Sequence, residues 1–306
     1  MEVKVIDKQV ESCDGIHRLA GKVYIPECTI RGIFHVVHGM IEHIERYDAF
    51  MKTIASHGFV CFGFDNLGHG FTAKDDSELG FFAHKDGYRL LCDDVNNFGC
   101  IMKKEYGEDL PYILMGHSMG SFIVRCTAVY YPNLCDKLII MGTGGAVSGA
   151  KAGLALLGVL KKIKGEKAIS PFAEKLVIGN YNKRFPKSDG QAWLSTVEEV
   201  RTAYRNDKYC SFHFSISAFI DLGKLNINCN SLKFFNGKKK ELPILLVSGS
   251  DDPVGNYGKG VKQVYDKLKA TGHNKVTFKL YKGCRHEILN DICRKKVINE
   301  ILKFSV

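Results

Sequence analysis

Pro111-Tyr-Ile-Leu-Met-Gly-His-Ser-Met-Gly-Ser-Phe122 sets a serine between two glycines inside a run otherwise built to be buried. Tyr112 to Met115 reads as a strand, and the apolar residues from Ser121 to Tyr131, ended by Pro132, read as a helix. A strand-to-helix reversal this sharp forces its central residue into a strained backbone, and a Cβ two positions to either side would collide with the turn. Ser118 at the apex must then point outward. There the helix N-terminus offers N–H groups and the positive end of its dipole to a developing oxyanion.

A serine hydroxyl is a weak nucleophile until a base takes its proton and an acid orients that base. In a fold of this kind both partners come later in the chain, acid first. His213, His273 and His286 are the downstream histidines to weigh. His213 lies in a helical insertion, and His273 sits in the helix-ending turn Thr271-Gly-His-Asn274. His286 directly follows the apolar run Val276 to Tyr281, so it emerges at the same sheet edge as Ser118 and is the expected base. The acid should follow the strand Ile244 to Ser248, where Asp251 and Asp252 are adjacent. Neighbouring residues project differently, so only one can face His286. Pro253 fixes the turn after Asp252 and favours it, a choice that leans on the resemblance given below. The amide of Met119, after the serine, and that of Met40, after the strand Ile33 to Val37, are the expected oxyanion-hole donors.

Working outward, Gly32 to Val37, Val60 to Phe64, Tyr112 to Met115, Leu138 to Met141, Ile244 to Ser248 and Val276 to Tyr281 are almost continuously apolar. Such strands belong to a mostly parallel sheet covered by helices on both faces. Helical patterns lie between them at Tyr88 to Tyr106, Ser121 to Tyr131, Val261 to Thr271 and Glu287 to Phe304. Glu2 to Asp7 and Leu19 to Ile25 flank a Cys13-Asp14-Gly15 turn and predict an antiparallel hairpin at one edge. The alternation fails between Gly145 and Leu242, which predicts a helical cap over 146–236 inserted into a core of 1–145 and 237–306.

The chain of 306 residues is 45% hydrophobic and carries a net charge of +10. The segment Ala146 to Lys240 holds 17 Lys/Arg against 7 Asp/Glu, a difference equal to the charge of the whole chain. The rest is balanced, so the basic excess belongs to the insertion as a solvated or an anion-attracting face. Lys238-Lys239-Lys240 reads as a solvated loop. The first residues, Met1 to Lys8, form no signal peptide, and no run is long enough to span a bilayer. The 11 cysteines lack Cys-x-x-Cys spacing, and Cys61, Cys92, Cys126 and Cys293 sit in apolar patterns. They read as buried thiols in a reducing cytoplasm, with neither a disulfide framework nor a zinc site.

Five motifs together carry a resemblance: His38-Gly-Met-Ile-Glu-His-Ile-Glu-Arg-Tyr47, Asp65-Asn-Leu-Gly-His-Gly70, Gly116-His-Ser-Met-Gly120, Gly249-Ser-Asp-Asp252 and His286-Glu287. In this order over nearly the whole chain, they resemble the α/β-hydrolase superfamily and, within it, the monoacylglycerol lipase and lysophospholipase family. The resemblance implies an α/β-hydrolase fold with a variable cap, Ser118 as nucleophile, Asp252 as acid, His286 as base, and the Met40 and Met119 amides as oxyanion hole. It implies no cofactor and no metal. The chain departs from the family at Asp65-Asn66, where arginine is more frequent, in a loop read as structural. Glu42, His43, Arg46 and Tyr47 are expected to hold the oxyanion loop, and His69 and His117 to be structural.

The expected activity is hydrolysis of a lipophilic ester, a monoacylglycerol or lysophospholipid. A carboxylesterase for short or aromatic esters is the near alternative, and a non-catalytic lipid- or anion-binding protein the distant one. The same acyl-enzyme also leaves peptidase and acyltransferase chemistry open. Ala152 to Lys167 combines leucines with four lysines and reads either as a helix packed on the body or as a contact with an anionic membrane surface. Tyr209, Phe212, Phe214 and Phe219 read as cap core or acyl-pocket lining. No nucleic-acid partner is expected.

Overall fold

The computed structural model describes residues 2–179, 181–185, 189–237 and 239–306. Met1 and Lys238 of the stretches singled out above, and residues 180 and 186–188 within the expected cap, lie outside the described residues. One eight-stranded sheet organises the chain in the order β1-β2-β4-β3-β5-β6-β7-β8. Its strands are β1 (Val3–Glu11), β2 (Arg18–Pro26), β3 (Gly32–Val37), β4 (Phe59–Phe64), β5 (Tyr112–His117), β6 (Lys137–Met141), β7 (Ile244–Gly249) and β8 (Val276–Tyr281). β1 pairs antiparallel with β2, and β2 antiparallel with β4; every other pairing is parallel.

The described helices are α1 (Asp48–Ser56), α2 (Gly87–Tyr106), α3 (Met119–Tyr130), α4 (Ala150–Lys164), α5 (Pro171–Val177), α6 (Glu198–Asn206), α7 (Ile216–Cys229), α8 (Leu232–Asn236), α9 (Lys259–Ala270) and α10 (Arg294–Ser305). β3, β4, β5 and β7 are buried at every residue, as their almost continuously apolar sequences require. One face packs against α2, α3 and α9 and the other against α1 and α10. No described helix is long and apolar enough to cross a membrane.

Three expectations need correcting. β8 is not buried on both faces; it is an edge strand with Thr277, Lys279 and Leu280 exposed, and Lys279 pairs with Glu300 of α10. The last helix begins at Arg294 and not at Glu287, because residues 285–291 are tied instead to a segment preceding α6. α1, which covers β2 and β4 with Phe50, Met51 and Ile54, was not foreseen. Between β6 and β7 the described residues form α4 to α8 with a single isolated bridge, Ile169 to Ser215, in place of strands. Of the lysine run, Lys239 is exposed while Lys240 donates to the Phe235 carbonyl at 3.1 Å. Cys61, Cys92, Cys126 and Cys293 are buried, whereas Cys13 and Cys100 are exposed.

Candidate active site

The turn between β5 and α3 is the most constrained point of the backbone near the sheet's carboxyl edge. Ser118 has φ 54° and ψ −119°, a conformation that costs a non-glycine residue about 1–3 kcal/mol. A Cβ on Gly116 would come within 2.2 Å of the Gly120 carbonyl oxygen, and one on Gly120 within 2.2 Å of the Val37 oxygen. Only glycine fits at either place. Ser118 is partly exposed while Met115 to His117 and Met119 to Ala128 are buried, so this side chain alone is offered to a ligand at the turn. Its amide donates to the Met141 carbonyl at 3.0 Å, which ties the turn to the end of β6.

His286 lies over Gly142, beside the ring of His117, the residue that precedes Ser118. A Cβ on Gly142 would lie 3.2 Å both from the His117 ring and from Cε1 of His286, and the two imidazole centroids are 4.7 Å apart. Nδ1 of His286 lies 3.0 Å from Oδ1 of Asp252. Asp252 is fully buried and also accepts from the Val254 amide at 2.9 Å and the Ser248 hydroxyl at 3.0 Å, so both carboxylate oxygens are fixed. Asp251 faces elsewhere: its carboxylate takes the Ser250 hydroxyl at 2.8 Å. His213 is exposed and paired with Glu174 at 3.0 Å, and His273 is buried in the turn after α9. Asp136 accepts from the Tyr112 amide at 2.8 Å and anchors the start of β5.

The loop after β3 closes on the same point, with a Cβ on Gly39 coming 2.9 Å from the Ser118 Cβ. Neither the Met40 nor the Met119 amide has an acceptor among the described residues. A dense buried network holds this loop. Glu42 accepts from the Gly39 amide at 2.6 Å, the Tyr47 hydroxyl at 2.9 Å and the Arg46 guanidinium at 2.9 Å. His38 donates from Nδ1 to the Gly39 carbonyl and accepts the Asn66 amide at Nε2, 2.9 Å away, while Asp65 takes the Ile44 and Phe71 amides at 2.8 Å each. The Asp65-Asn66 departure is thus a structural brace. His43 does not hold the loop as expected; its Nε2 pairs with Asp207 at 2.8 Å. Together with Cys210 these two form the one His/Cys/Asp/Glu group compact enough for a metal among the described residues. Within it His43 and Asp207 are joined by their hydrogen bond, and burial pushes the Cys210 thiol up.

His69 is neutral, since burial pulls its imidazole down to about 3. His117 behaves oppositely. Burial lowers it, but the hydrogen bond and charge of Glu42 outweigh burial and raise it. For Glu42, burial opposes ionisation, yet His117 and Arg46 hold the carboxyl well below its usual range. The sign of the linkage follows. Glu42 contributes stability above its ordinary 4.5 that is lost on acidification, and His117 contributes stability below its ordinary 6.5 that is lost as pH rises through its folded value. The pair is therefore worth most between those limits. Glu42→Gln removes the buried carboxylate shared by Arg46 and His117 and is expected to cost about 3–5 kcal/mol in urea unfolding.

Two features escaped the sequence reading. Glu287 clamps the Arg46 guanidinium with two bonds of 2.7 and 2.8 Å, although its motif gave it no role. Trp193 stacks on His286 with centroids 5.1 Å apart, and nothing in the sequence near Trp193 signals that contact.

Residues 29–292 match the model of the S33 serine aminopeptidase family. The chain belongs to this family of α/β hydrolases. A carboxyl esterase from Bacillus coagulans, solved in complex with glycerol, superposes with a TM-score of 0.90 at 30% identity, each chain covered completely. The monoacylglycerol lipase of Mycolicibacterium smegmatis is 24% identical over 94% of this chain and 93% of the relative, and human monoglyceride lipase 24% identical over 87% and 79%. The superposition on the esterase runs through both the Ser118 turn and the His286 loop of this S33-family chain.

Proposed function

We propose that this chain hydrolyses carboxylic esters through an acyl-Ser118 intermediate, with monoacylglycerols as its substrate class. His286 takes the Ser118 proton as the hydroxyl attacks the ester carbonyl, and Asp252 holds the imidazole and offsets the charge it gains. The Met40 and Met119 amides receive the oxyanion. His286 then protonates the leaving alcohol and activates the water that releases the acid. Segment 146–236 acts as the cap that selects the substrate.

The observation that carries the substrate class is the contrast between two cavities that share Tyr181. One, about 340 Å³, is walled by Phe122, Leu154, Leu157, Leu176, Phe219 and Val254 and suits an acyl chain. The other, about 480 Å³, runs from Met40 and Trp193 to Asn182, Gln191 and Ser211 and suits a small polar alcohol. Of the aromatic cluster, Phe219 lines the first, Phe212 the second, and Phe214 is core. An aminopeptidase would need a free carboxylate for the substrate ammonium. The carboxylate lining the second cavity, Glu174, is already paired with His213.

Kinetics on p-nitrophenyl esters of graded length test this reading: kcat/KM should rise from acetyl to medium and long chains, and activity confined to acetyl and butyryl esters would reject it. Gly153 lines the acyl cavity, and a Cβ there meets only the Leu176 Cδ2 at 3.9 Å. Gly153→Leu should therefore fill the cavity without a clash, lowering kcat/KM for palmitoyl esters by about tenfold or more while sparing butyryl esters.

α4 bears on membrane contact. Leu154 and Leu157 face the cavity, whereas Leu156, Val159 and Ile163 form an exposed stripe, continued by Phe172 and Leu176 of α5 and flanked by Lys161, Lys162 and Lys164. Such an apolar face ringed by cations suits an anionic lipid surface. Co-sedimentation with phosphatidylserine vesicles should fall in Val159→Glu/Ile163→Glu, with hydrolysis of a soluble ester retained; undiminished sedimentation would remove α4 as the contact.

A further inference from the structure

The loop that carries His286 is held from the cap side. The His286 amide donates to the Trp193 carbonyl at 3.4 Å and the Glu287 amide to the Leu194 carbonyl at 2.8 Å, a short ladder between chain segments far apart in sequence. Arg285 reinforces it by donating to the carbonyls of Ala192 and Ser195, and Asp291 joins the two segments again by accepting from the Arg285 amide at 2.8 Å and from the Thr196 hydroxyl. The core holds it too, through Asp252 at Nδ1, through His117, whose Nε2 donates to the His286 carbonyl at 3.3 Å, through the Arg46 clamp on Glu287, and through the Asp251 amide on the Cys284 carbonyl.

Upon this ladder the indole of Trp193 lies against the His286 imidazole, 5.1 Å between centroids and 37° between planes. The indole is itself fixed from behind: the Trp193 amide donates to Oδ1 of Asn182 at 3.1 Å, and the Tyr181 ring packs on it at 5.0 Å. Trp193 also walls the cavity beside Met40, and Tyr181 borders both cavities. One short cap segment thus touches the base, the alcohol-side space and the partition between the two cavities.

We propose that Trp193 is a positioning residue for His286: its indole face, set on the 193–194 ladder, keeps the imidazole aligned between Asp252 and Ser118, so the base is in register only when the cap segment 191–196 is seated. The inference rests on the reading of Ser118, Asp252 and His286 as the reacting set. A histidine free to tilt loses proton-transfer geometry, and a displacement of about 1 Å is enough to cost on the order of a hundredfold in rate. An aromatic face at this place also shields the ring from water, and His286 is 2% exposed.

Trp193 is the single tryptophan of the chain, so its emission reports this part of the cap segment. That emission should change in His286→Ala and stay as in the wild type in Ser118→Ala. With p-nitrophenyl butyrate, Trp193→Ala should lower kcat by about ten- to a hundredfold with KM moving less than about threefold, and should shift the acid limb of the kcat/KM profile. Trp193→Phe, which keeps an aromatic face, should recover most of the loss. An unchanged kcat in Trp193→Ala, a rise in KM alone, or an emission unchanged in His286→Ala would each overturn the proposal. Fluorophosphonate labelling of the wild type separates the two levels: a labelled Ser118 with an unaffected Trp193→Ala sinks the positioning role alone, whereas an unlabelled Ser118 sinks the reading on which it rests.

Discussion

Ser118→Ala is expected to lower kcat for ester hydrolysis by about four to six orders of magnitude while leaving the fold as stable as before. The first half follows from chemistry, because without the hydroxyl no acyl-enzyme forms and only the oxyanion donors and binding remain to assist water. The second half follows from local structure. The Ser118 side chain makes no capping bond to α3, so its loss leaves no backbone donor unpaired. Nor does alanine relieve the positive φ of 54°, which it tolerates no better than serine. Glycine does. Ser118→Gly should be equally inactive and about 1 kcal/mol more stable in urea unfolding, the strain of the turn having been released. Activity loss accompanied by a fall in melting temperature would mean that the serine is structural.

The second large effect separates the adjacent aspartates. Asp252→Asn should lower kcat by about three to four orders of magnitude, and Asp251→Asn by less than about tenfold. Ser248 and Val254 hold the 252 side chain in place, so the amide would stay beside Nδ1 of His286. It would no longer offset the charge of the imidazolium, and its NH₂ would favour the wrong tautomer. Asp251 bonds Ser250 and does not reach His286, so its neutralisation changes only a neighbouring turn. Equal losses at the two positions would show that the 3.0 Å contact between His286 and Asp252 does not govern the base.

The parts of this site that were readable in the sequence are those set by local constraint. A buried strand running into Gly-x-Ser-x-Gly leaves the serine one way to point, and the same steric demand appears in the 2.2 Å approaches at Gly116 and Gly120. Strand positions were readable because a sheet covered on both faces admits apolar residues at every place, and β8 departed from that pattern because an edge strand is covered less. What was not readable depends on partners distant in the chain. Residues 287–293 carry a helical pattern, yet their start is captured by carbonyls and hydroxyls of residues 194–196, and no local rule announces such a competitor. His43 was assigned to the oxyanion loop because it lies in the motif beside Glu42; Asp207, far along the chain, claims it instead. For α4 two readings stood as alternatives; the helix turns Leu157 inward onto the body and leaves Ile163 exposed.

The claim on which the rest stands is that His286 activates Ser118. Mass mapping after treatment with a fluorophosphonate tests it most directly, because that reagent reacts with a serine only when a base accepts its proton. The account predicts one adduct, on the peptide containing Ser118, formed rapidly in the wild type and slowed by several orders of magnitude in His286→Ala. A folded protein that takes no label, or takes it at Ser118 equally fast without His286, would contradict it.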